Sequence, residues 1–425
     1  MIVENCPFQR DPRLRREATT LQSAGYQVSV VCPALRPGQP LREYIQGIAV
    51  YRYRPLAVGR TSLGHFLEYA YATLAIAVLS LVVMVREGFD VIHVANPPDT
   101  LVLTVAPYKI LGKRIIYDQH DLCPELFEAK FPQLRWLFPM VVWSEYWSYR
   151  LADHVIVTNE SYRDNALARG NLPTSKVTIV RNGPDLGSIC SASVDRELRD
   201  KSKNLFAYAG TIGSQDDLDC MCRILYRLRY DLGREDFCCV VMGDGDALPE
   251  VRNLVRELHL EDNFWFTGWV DDPDTFLCYL TTADICVSPE SSTPYNNRST
   301  FVKIMDYMAA GKPIVAFDLC ETRISAADSA LYADAGDERQ FALRLAELMD
   351  QPVLRSELGG RGQKRIRDGL AWQYSTPKLL WAYNACLANG NQTCRTYHAK
   401  ISEATTSDKQ EEDDLSGIAK TSTDS

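Results

Sequence analysis

Residues 288–323 restrict the possible folds of this chain more than any other segment. The apolar runs at 285–287 and 314–317 predict two buried strands. Between them the sequence predicts a polar loop and a short helix, which Ser299 or Thr300 can cap and which Gly311 and Pro313 end. Short buried strands joined by a helix are typical of a parallel sheet with helices on its faces. The segment therefore predicts an α/β fold.

The predicted helix has one apolar and one polar face. The apolar residues recur at spacings of three and four and share a face: Phe301, Ile304, Met305 and Met308. Lys303 and Asp306 lie together on the opposite face. In doubly wound parallel sheets, ligands bind at the carboxyl ends of the strands, beside the helix starts. The two charges are therefore either a weak surface ion pair or part of a ligand site.

This segment resembles the donor-binding motif of retaining glycosyltransferases of family 4. The family pattern is Asn-x-x-Ser-Thr-x-x-Lys, then Glu-Tyr-Met-Ala-x-Gly-Lys-Pro, then Phe-Asp-Leu-x-Glu-x-Arg, and the chain follows it from Asn296 to Arg323. Asp306 stands where the family usually has Glu. The resemblance extends over residues 11–387. It implies the GT-B fold, which is α/β with two Rossmann-like parallel-sheet domains facing across a cleft.

The resemblance also implies a reaction. A sugar would pass from a nucleotide-sugar donor to a saccharide or lipid-linked acceptor with retention of configuration, in cell-surface polysaccharide or glycoconjugate biosynthesis. The nucleoside diphosphate is the leaving group, so the protein must stabilise developing phosphate charge and needs no carboxylate pair as in glycosidases. We expect no cofactor and no metal, because no crevice loop carries a paired-acid metal motif and basic residues are available.

By this resemblance, cations and backbone amides bind the diphosphate. Lys303 and Arg298 are the expected catalytic cations. Gly210 and Gly213 follow a predicted strand and allow backbone amides to approach the pyrophosphate. The family usually carries an arginine and a lysine in this loop, near the places of Thr211 and Asp216 here.

The remaining site residues follow from other motifs of the family. The third catalytic candidate, His120, opens a His-Asp-x-x-Pro-Glu segment that places the imidazole against the transferred sugar. A structural hydrogen-bonding histidine is the alternative. The nucleobase is expected against backbone groups near Gly268 and Val270, and the ribose against Asp306. Glu321 and Arg323 are the last two expected donor residues. They reach the sugar or the phosphate, or else they pair with each other.

Two other functions stay open at this point. The absent loop cations and Asp306 suggest a catalytically weakened subunit that binds the nucleotide-sugar. A GT-B epimerase that acts on the nucleotide-sugar alone is the second alternative. A requirement for an acceptor distinguishes the transferase from both.

The chain is long enough, at 425 residues, for two domains. We predict an acceptor-side domain at 1–184, a nucleotide-sugar domain at 185–370, a helix at 371–388 that crosses back to the first domain, and a disordered acidic tail at 389–425. Asn182 and Gly183 form the expected linker turn. Asp11 and Arg13 open the first helix, either as an ion pair or as a loop that faces the cleft.

Composition bounds the partners and the compartment. A net charge of -9 argues against nucleic-acid binding. The 13 cysteines show no zinc spacing and no secretory signal is visible, so we expect a cytoplasmic protein. Residues 70–85 are almost wholly apolar. They are short for a membrane span, so we expect a buried helix, with contact to the inner-membrane surface as the alternative.

Overall fold

The computed structural model describes residues 1–56, 62–188 and 194–388, which fold into two α/β units. The first unit contains seven strands: β1 (Ser29–Pro33), β2 (Arg42–Ile45), β3 (Ile48–Tyr53), β4 (Val91–Ala95), β5 (Arg114–Gln119), β6 (His154–Val157) and β7 (Val177–Ile179). Its helices are α1 (Pro12–Ser23), α2 (Ser62–Arg86), α3 (Thr100–Val105), α4 (Cys123–Lys130), α5 (Phe138–Leu151) and α6 (Glu160–Gly170).

The strands of the first unit form one sheet. They have the order β2-β3-β1 and β4-β5-β6-β7, and Ile2 joins the two parts by bridging Val31 and Val94. β2 is antiparallel to β3, whereas the other paired strands are parallel. α2, α3, α5 and α6 bury their apolar side chains against one face of the sheet, and α1 covers the other.

The second unit follows a short helix, α7 (Arg196–Arg199), and is wholly parallel. Its strands are β8 (Asn204–Ala209), β9 (Phe237–Met242), β10 (Phe264–Gly268), β11 (Ile285–Ser288), β12 (Ile314–Phe317) and β13 (Ala330–Ala333). Its helices are α8 (Leu218–Tyr226), α9 (Leu248–Glu257), α10 (Pro273–Thr282), α11 (Val302–Ala309), α12 (Cys320–Ala326), α13 (Glu338–Asp350) and α14 (Pro352–Arg365). The strand order is β10-β9-β8-β11-β12-β13. This is the doubly wound order, with its switch point between β8 and β11. The predicted fold class is confirmed.

A last helix, α15 (Trp372–Ala388), returns to the first unit. Leu379, Ala382, Tyr383 and Cys386 are buried there against residues of α1, β5 and β6. Helix α15 therefore packs on the first unit, as a helix that crosses back would do. The predicted acidic tail lies outside the described residues.

Gly183, in the linker between the units, lies where the backbone packs too closely for a side chain. A Cβ on Gly183 would lie 1.9 Å from the backbone oxygen of Leu370. The backbone amide of Trp372 donates to the oxygen of Pro184 at 3.0 Å, so the start of α15 lies directly on the linker. Gly183 is needed for this approach and not for a left-handed turn conformation.

The apolar helix α2 differs from its prediction. Its stretch from Leu67 to Arg86 is long and apolar enough to cross a membrane, yet only 22% of an 18-residue window within it is buried. The expectation of a buried helix is wrong. One face packs on the sheet, and nothing in the described part of the chain covers the other.

Candidate active site

A cavity of about 1360 Å³ lies between the two units, at the switch point of the second sheet. Arg16 and other residues of α1 line it from the first unit. From the second unit it is lined by residues of the loops after β8 and β10 and by α11, among them Gly210, Val270, Lys303 and Asp306. The cavity therefore brings together four of the residues that the sequence assigned to the donor.

Helix α11 presents its polar residues to this cavity for the predicted reason. Ile304, Met305 and Met308 are fully buried in the second unit, so Lys303 and Asp306 face outward. The predicted caps are wrong, because the helix begins only at Val302. The hydroxyls of Ser299 and Thr300 bind residues of the first unit instead of capping the helix. Ser299 hydrogen-bonds to Tyr162 at 3.0 Å, and Thr300 accepts from Asn159 at 2.9 Å.

The ammonium of Lys303 is held by a carboxylate that the sequence reasoning missed. Its Nζ donates to Oε1 of Glu290 at 2.5 Å and lies 4.1 Å from the ring centroid of Tyr208. Glu290 is fully buried, and Ser288 donates to its other oxygen. Burial alone would lower the pKa of Lys303, but the charge of Glu290 raises it above its ordinary value. The lysine therefore stays protonated. The position of Glu290, just after a buried strand, was the available signal.

The glycine loop after β8 fits against this lysine. Gly210 has a φ of +145°, and a Cβ there would lie 3.3 Å from Cε of Lys303. The amide of Gly213 is already used, since it donates to Asp216 at 2.9 Å. Burial raises the pKa of Asp216 to about 6, and the charge of Lys303 offsets part of that rise. A ligand could thus come close to the backbone at Gly210, and the same loop carries the carboxylate of Asp216.

The carboxylate of Asp306 faces Arg16 across the cavity. Burial raises the pKa of Asp306 to about 6, and the charge of Arg16 opposes this rise. Arg16 itself donates to the backbone oxygen of Gly183 at 2.6 Å. No group in the described part of the chain hydrogen-bonds to the Asp306 carboxylate. Its oxygens therefore remain available to hydroxyl donors of a ligand.

The loop after β10 forms the far wall of the cavity. Gly268 ends the strand with a φ of +73°, a conformation that favours glycine. Val270 follows and lines the cavity, and the contact of its backbone with a base stays a prediction. Arg10 of the first unit donates to both oxygens of Asp271, at 2.6 and 2.9 Å, and lies 5.5 Å from the ring centroid of Trp269. This ion pair joins the two units beside the cavity.

His120 follows β5, and a buried carboxylate holds its imidazole. Its Nε2 is 2.6 Å from Oδ2 of Asp118, and its backbone amide donates to Oδ1 of Asn96 at 2.6 Å. Burial alone would lower the pKa of His120, but the Asp118 charge raises it above the ordinary value. The side chain keeps 18% of its surface exposed. It is thus well fixed and partly accessible, and its contact with the sugar stays a prediction.

Asp118 belongs to a buried charged cluster. Arg13 donates to its two oxygens at 2.7 and 3.0 Å, and His93 and Glu17 lie next to them. Glu17, His93 and Asp118 have side chains that can ligate a metal. The Arg13 guanidinium, however, pairs with both carboxylates, at 2.7 and 3.1 Å. The cluster therefore fits an internal ion-pair network, and a pair between Asp11 and Arg13 is not formed, since Asp11 caps α1 by accepting from the amide of Leu14.

Arg298 and Glu321 contact the first unit. Arg298 donates to Oε1 of Glu125 at 2.9 Å, and its guanidinium does not line the cavity. Glu321 is fully buried and accepts from the hydroxyl of Ser161, at the start of α6. Both side chains thus have partners across the junction of the two units.

Arg323 has a partner within its own unit. It donates to both oxygens of Asp318, at 2.5 and 2.6 Å, and its guanidinium lies 4.0 Å from the ring centroid of Tyr332. The alternative that Glu321 and Arg323 pair with each other is therefore wrong. Arg323 is about half exposed.

Both units match known protein families. Residues 11–183 match the glycosyl transferase 4-like domain, and residues 203–351 match glycosyl transferases group 1. The chain is 25% identical over 312 residues to an uncharacterised glycosyltransferase of Methanocaldococcus jannaschii, covering 68% of this chain and 72% of that protein. It is 26% identical over 151 residues to the lipopolysaccharide core biosynthesis glycosyltransferase LpsE of Rhizobium meliloti, covering 35% and 41%.

Solved structures share the fold at low identity. The sucrose-phosphate synthase of Thermosynechococcus elongatus superposes with a TM-score of 0.72 at 16% identity, covering 89% of this chain and 93% of that one. HepE of Anabaena, solved in complex with UDP-glucose, superposes with a TM-score of 0.67 at 14% identity, covering 90% and 98%. The chain therefore shares the two-unit fold of these structures.

Proposed function

Because the chain belongs to the GT-B glycosyltransferases of family 4, we propose that it retains anomeric configuration and that its donor lies in the cavity between the two units. The donor is a nucleotide-sugar, and the acceptor is a saccharide or a lipid-linked saccharide. One observation carries the proposal. Lys303 and Asp306, one helical turn apart on α11, both line the cavity at the switch point of a doubly wound sheet.

Each cavity residue has a role in this proposal. The Lys303 ammonium stabilises the charge that develops on the leaving diphosphate, and Gly210 lets the backbone come close to it. The Asp306 carboxylate accepts hydrogen bonds from the ribose hydroxyls. The backbone at Val270 contacts the base.

The other predicted residues are not among those that line the cavity. His120 acts on the transferred sugar from the first unit, fixed by Asp118. Gly213 and Gly268 shape the loops that carry Gly210 and Val270. We assign no step to Arg298, Glu321 and Arg323, because each is bound to another group of the protein.

The donor class and the biological setting rest on the relatives. The complex of HepE with UDP-glucose makes UDP-sugars the first donors to test. The lipopolysaccharide transferase from Rhizobium supports a role in cell-surface polysaccharide synthesis. We place the protein in the cytoplasm, at the membrane surface, because α2 exposes an apolar face.

The test of this proposal is turnover of UDP-, GDP-, ADP- and TDP-sugars with saccharide and lipid-linked acceptors, in excess EDTA. We expect acceptor-dependent release of the nucleoside diphosphate without added metal, and a product whose anomeric proton shows the configuration of the donor. Activity that returns only with magnesium or manganese would refute the metal-free reaction. Conversion of the donor without an acceptor product would favour the epimerase, and binding without turnover the weakened subunit.

A further inference from the structure

Helix α2 has two apolar faces, of which only one is packed. Ala72, Ile76 and Val83 are at most 5% exposed and lie in the core of the first unit. The opposite face is open to solvent, with exposed fractions of 65% at Leu74, 54% at Val78, 50% at Leu81 and 77% at Val85. No charged residue interrupts the helix between Glu68 and Arg86. A helix that is apolar all round is normally covered on all sides.

The exposed apolar surface continues on the neighbouring elements. α3 packs against both α2 and α5, on the same face of the sheet. The chain after α3 exposes Ile110 by 89% and Leu111 by 58%. The segment at α5 exposes large side chains: Trp136, Met140, Trp143, Tyr146 and Trp147. We call the outer faces of α2, residues 110–111 and this α5 segment the docking surface.

The exposed charges at the α5 segment are mostly positive. From Glu128 to Arg150 they are Lys130, Arg135, Arg150 and one acid, Glu128, which lies 3.9 Å from Arg135. The other acid of this segment, Glu145, is buried and ion-paired with Arg169. The whole chain, in contrast, has a net charge of -9. The local charge therefore complements an anionic surface.

We propose that this docking surface binds the headgroup region of an anionic lipid bilayer. Tryptophan and tyrosine beside exposed cations are the side chains enriched at membrane interfaces. Aromatic residues and arginine are also enriched at protein–protein interfaces, so a second copy of the chain is the alternative occupant that the experiment below tests. The inference rests on the proposed location at a membrane and goes beyond it by naming the surface and the lipid charge.

The helix lies in the membrane plane and does not span the bilayer. Its packed face contacts β1 and β3, so α2 could enter the hydrocarbon core only by leaving the sheet. Interfacial helices of this kind insert their apolar face to a depth of about 5–10 Å. Docking through the first unit leaves the second unit, with the donor residues, in the cytosol. A lipid-linked acceptor then reaches the cleft without leaving the membrane.

The experiment measures sedimentation of the full chain with vesicles of phosphatidylcholine, alone or mixed equally with phosphatidylglycerol. The variant Leu74→Gln/Leu81→Gln removes two exposed leucines from α2. We expect wild-type binding to the anionic vesicles, weakened by salt, and a loss of about tenfold for each leucine removed. The variant Trp136→Ser/Trp143→Ser should weaken binding as well. The control Leu343→Gln/Val353→Gln removes two side chains of similar exposure from the second unit and should bind as wild type.

The possible results separate membrane docking by this surface from sugar transfer by the enzyme. Absence of wild-type vesicle binding overturns the docking proposal, and so does equal binding by the α2 variant. Reversible dimerisation that the α2 variant abolishes, without vesicle binding, would assign the surface to a second copy instead. Transfer to a water-soluble acceptor should be unchanged in the α2 variant, because these leucines are remote from the cavity lining. If wild type binds vesicles but transfers no sugar, docking stands and the proposed function fails.

Discussion

Lys303 and Glu290 show how one buried ion pair can serve structure and binding together. The lysine side chain is 8% exposed and the glutamate side chain not at all. A buried pair of this kind is costly to break, because the remaining charge loses its partner. The same ammonium, however, is the cation that the cavity offers to the donor in our proposal. Substitutions at the two positions separate the two roles.

Lys303→Met should lower both stability and donor affinity, whereas Glu290→Gln should lower stability alone. Either change breaks the pair, at a cost of about 3–5 kcal/mol for the unpaired charge. In Glu290→Gln burial lowers the pKa of the free lysine, but a bound diphosphate supplies the missing negative charge and no longer competes with the glutamate, so donor affinity should hold at or below neutral pH. Denaturant unfolding and calorimetric titration with the nucleotide-sugar measure the two effects. Equal losses of affinity would reduce the pair to a structural element.

His120→Ala and His120→Asn test the imidazole itself. Asparagine can still donate an N–H to Asp118, although it lacks the ring. If His120 contacts the sugar as the bond breaks, both variants should lose kcat and keep their nucleotide affinity. A purely structural histidine gives another pattern, in which His120→Asn restores stability and turnover together.

At the scale of single residues, periodicity predicted the orientation of Lys303 and Asp306, because the helix repeat alone decides which face is polar. It could not predict the partner of Lys303. Glu290 precedes it by a loop of irregular structure, so no spacing rule applies. The links from Arg10 to Asp271 and from Arg298 to Glu125 join residues more than 170 positions apart, and only the folded chain brings them together.

At the scale of elements, the sequence predicted which segments are helices and strands better than it predicted what covers them. The two strands that flank α11 appear where expected. α2 was predicted as a helix, but its apolar pattern carries no information on which of its faces is packed. Which face of α2 is packed depends on the width of the sheet on which the helix lies.

Helix α15 provides a direct test of an element's contribution. Leu379 is fully buried against the first unit, whereas the neighbouring Lys378 is exposed. Leu379→Ala should cost about 2–5 kcal/mol of stability, and Lys378→Ala much less. Denaturant unfolding of the two variants gives the comparison. If both changes cost the same, α15 does not brace the first unit.

At the scale of the whole molecule, ion pairs link the units outside the cavity. Arg298 and Glu125 form one, and Arg10 and Asp271 form another. Both are partly exposed, so each contributes little to stability by itself. They bias how closely the units approach, and thus how well the cavity encloses a ligand.

The assignment of Arg298 to this junction can be checked. Arg298→Gln should lower nucleotide-sugar affinity by less than about tenfold, far less than Lys303→Met. Glu125→Gln also breaks the ion pair with Arg169, so the double variant should lose no more affinity than Glu125→Gln alone. A large loss in Arg298→Gln alone would make Arg298 the catalytic cation that the family motif implies.

Binding of a nucleotide-sugar in the cavity between the units is tested most directly at Asp306. The measurement is calorimetric affinity of wild type, Asp306→Ala and Asp306→Glu for the nucleotide-sugar that turns over, at several pH values. Losing a charge-assisted hydrogen bond of about 1.5–3 kcal/mol predicts a roughly 10–150-fold loss in Asp306→Ala, and Asp306→Glu should bind as wild type or better.

The pH dependence of nucleotide-sugar binding is a second test of the Asp306 contact. Burial raises the pKa of Asp306 from 3.8 to about 6 in the free protein, so its protonation as the pH falls through this value should weaken wild-type binding relative to Asp306→Ala, in which only the titration of Asp216 remains. Because the folded pKa is the higher one, ionisation of Asp306 lowers stability as the pH rises through about 6, and Asp306→Ala should not be destabilised at neutral pH. Equal affinities in the three proteins, with the same pH profile, would contradict the donor site in this cavity.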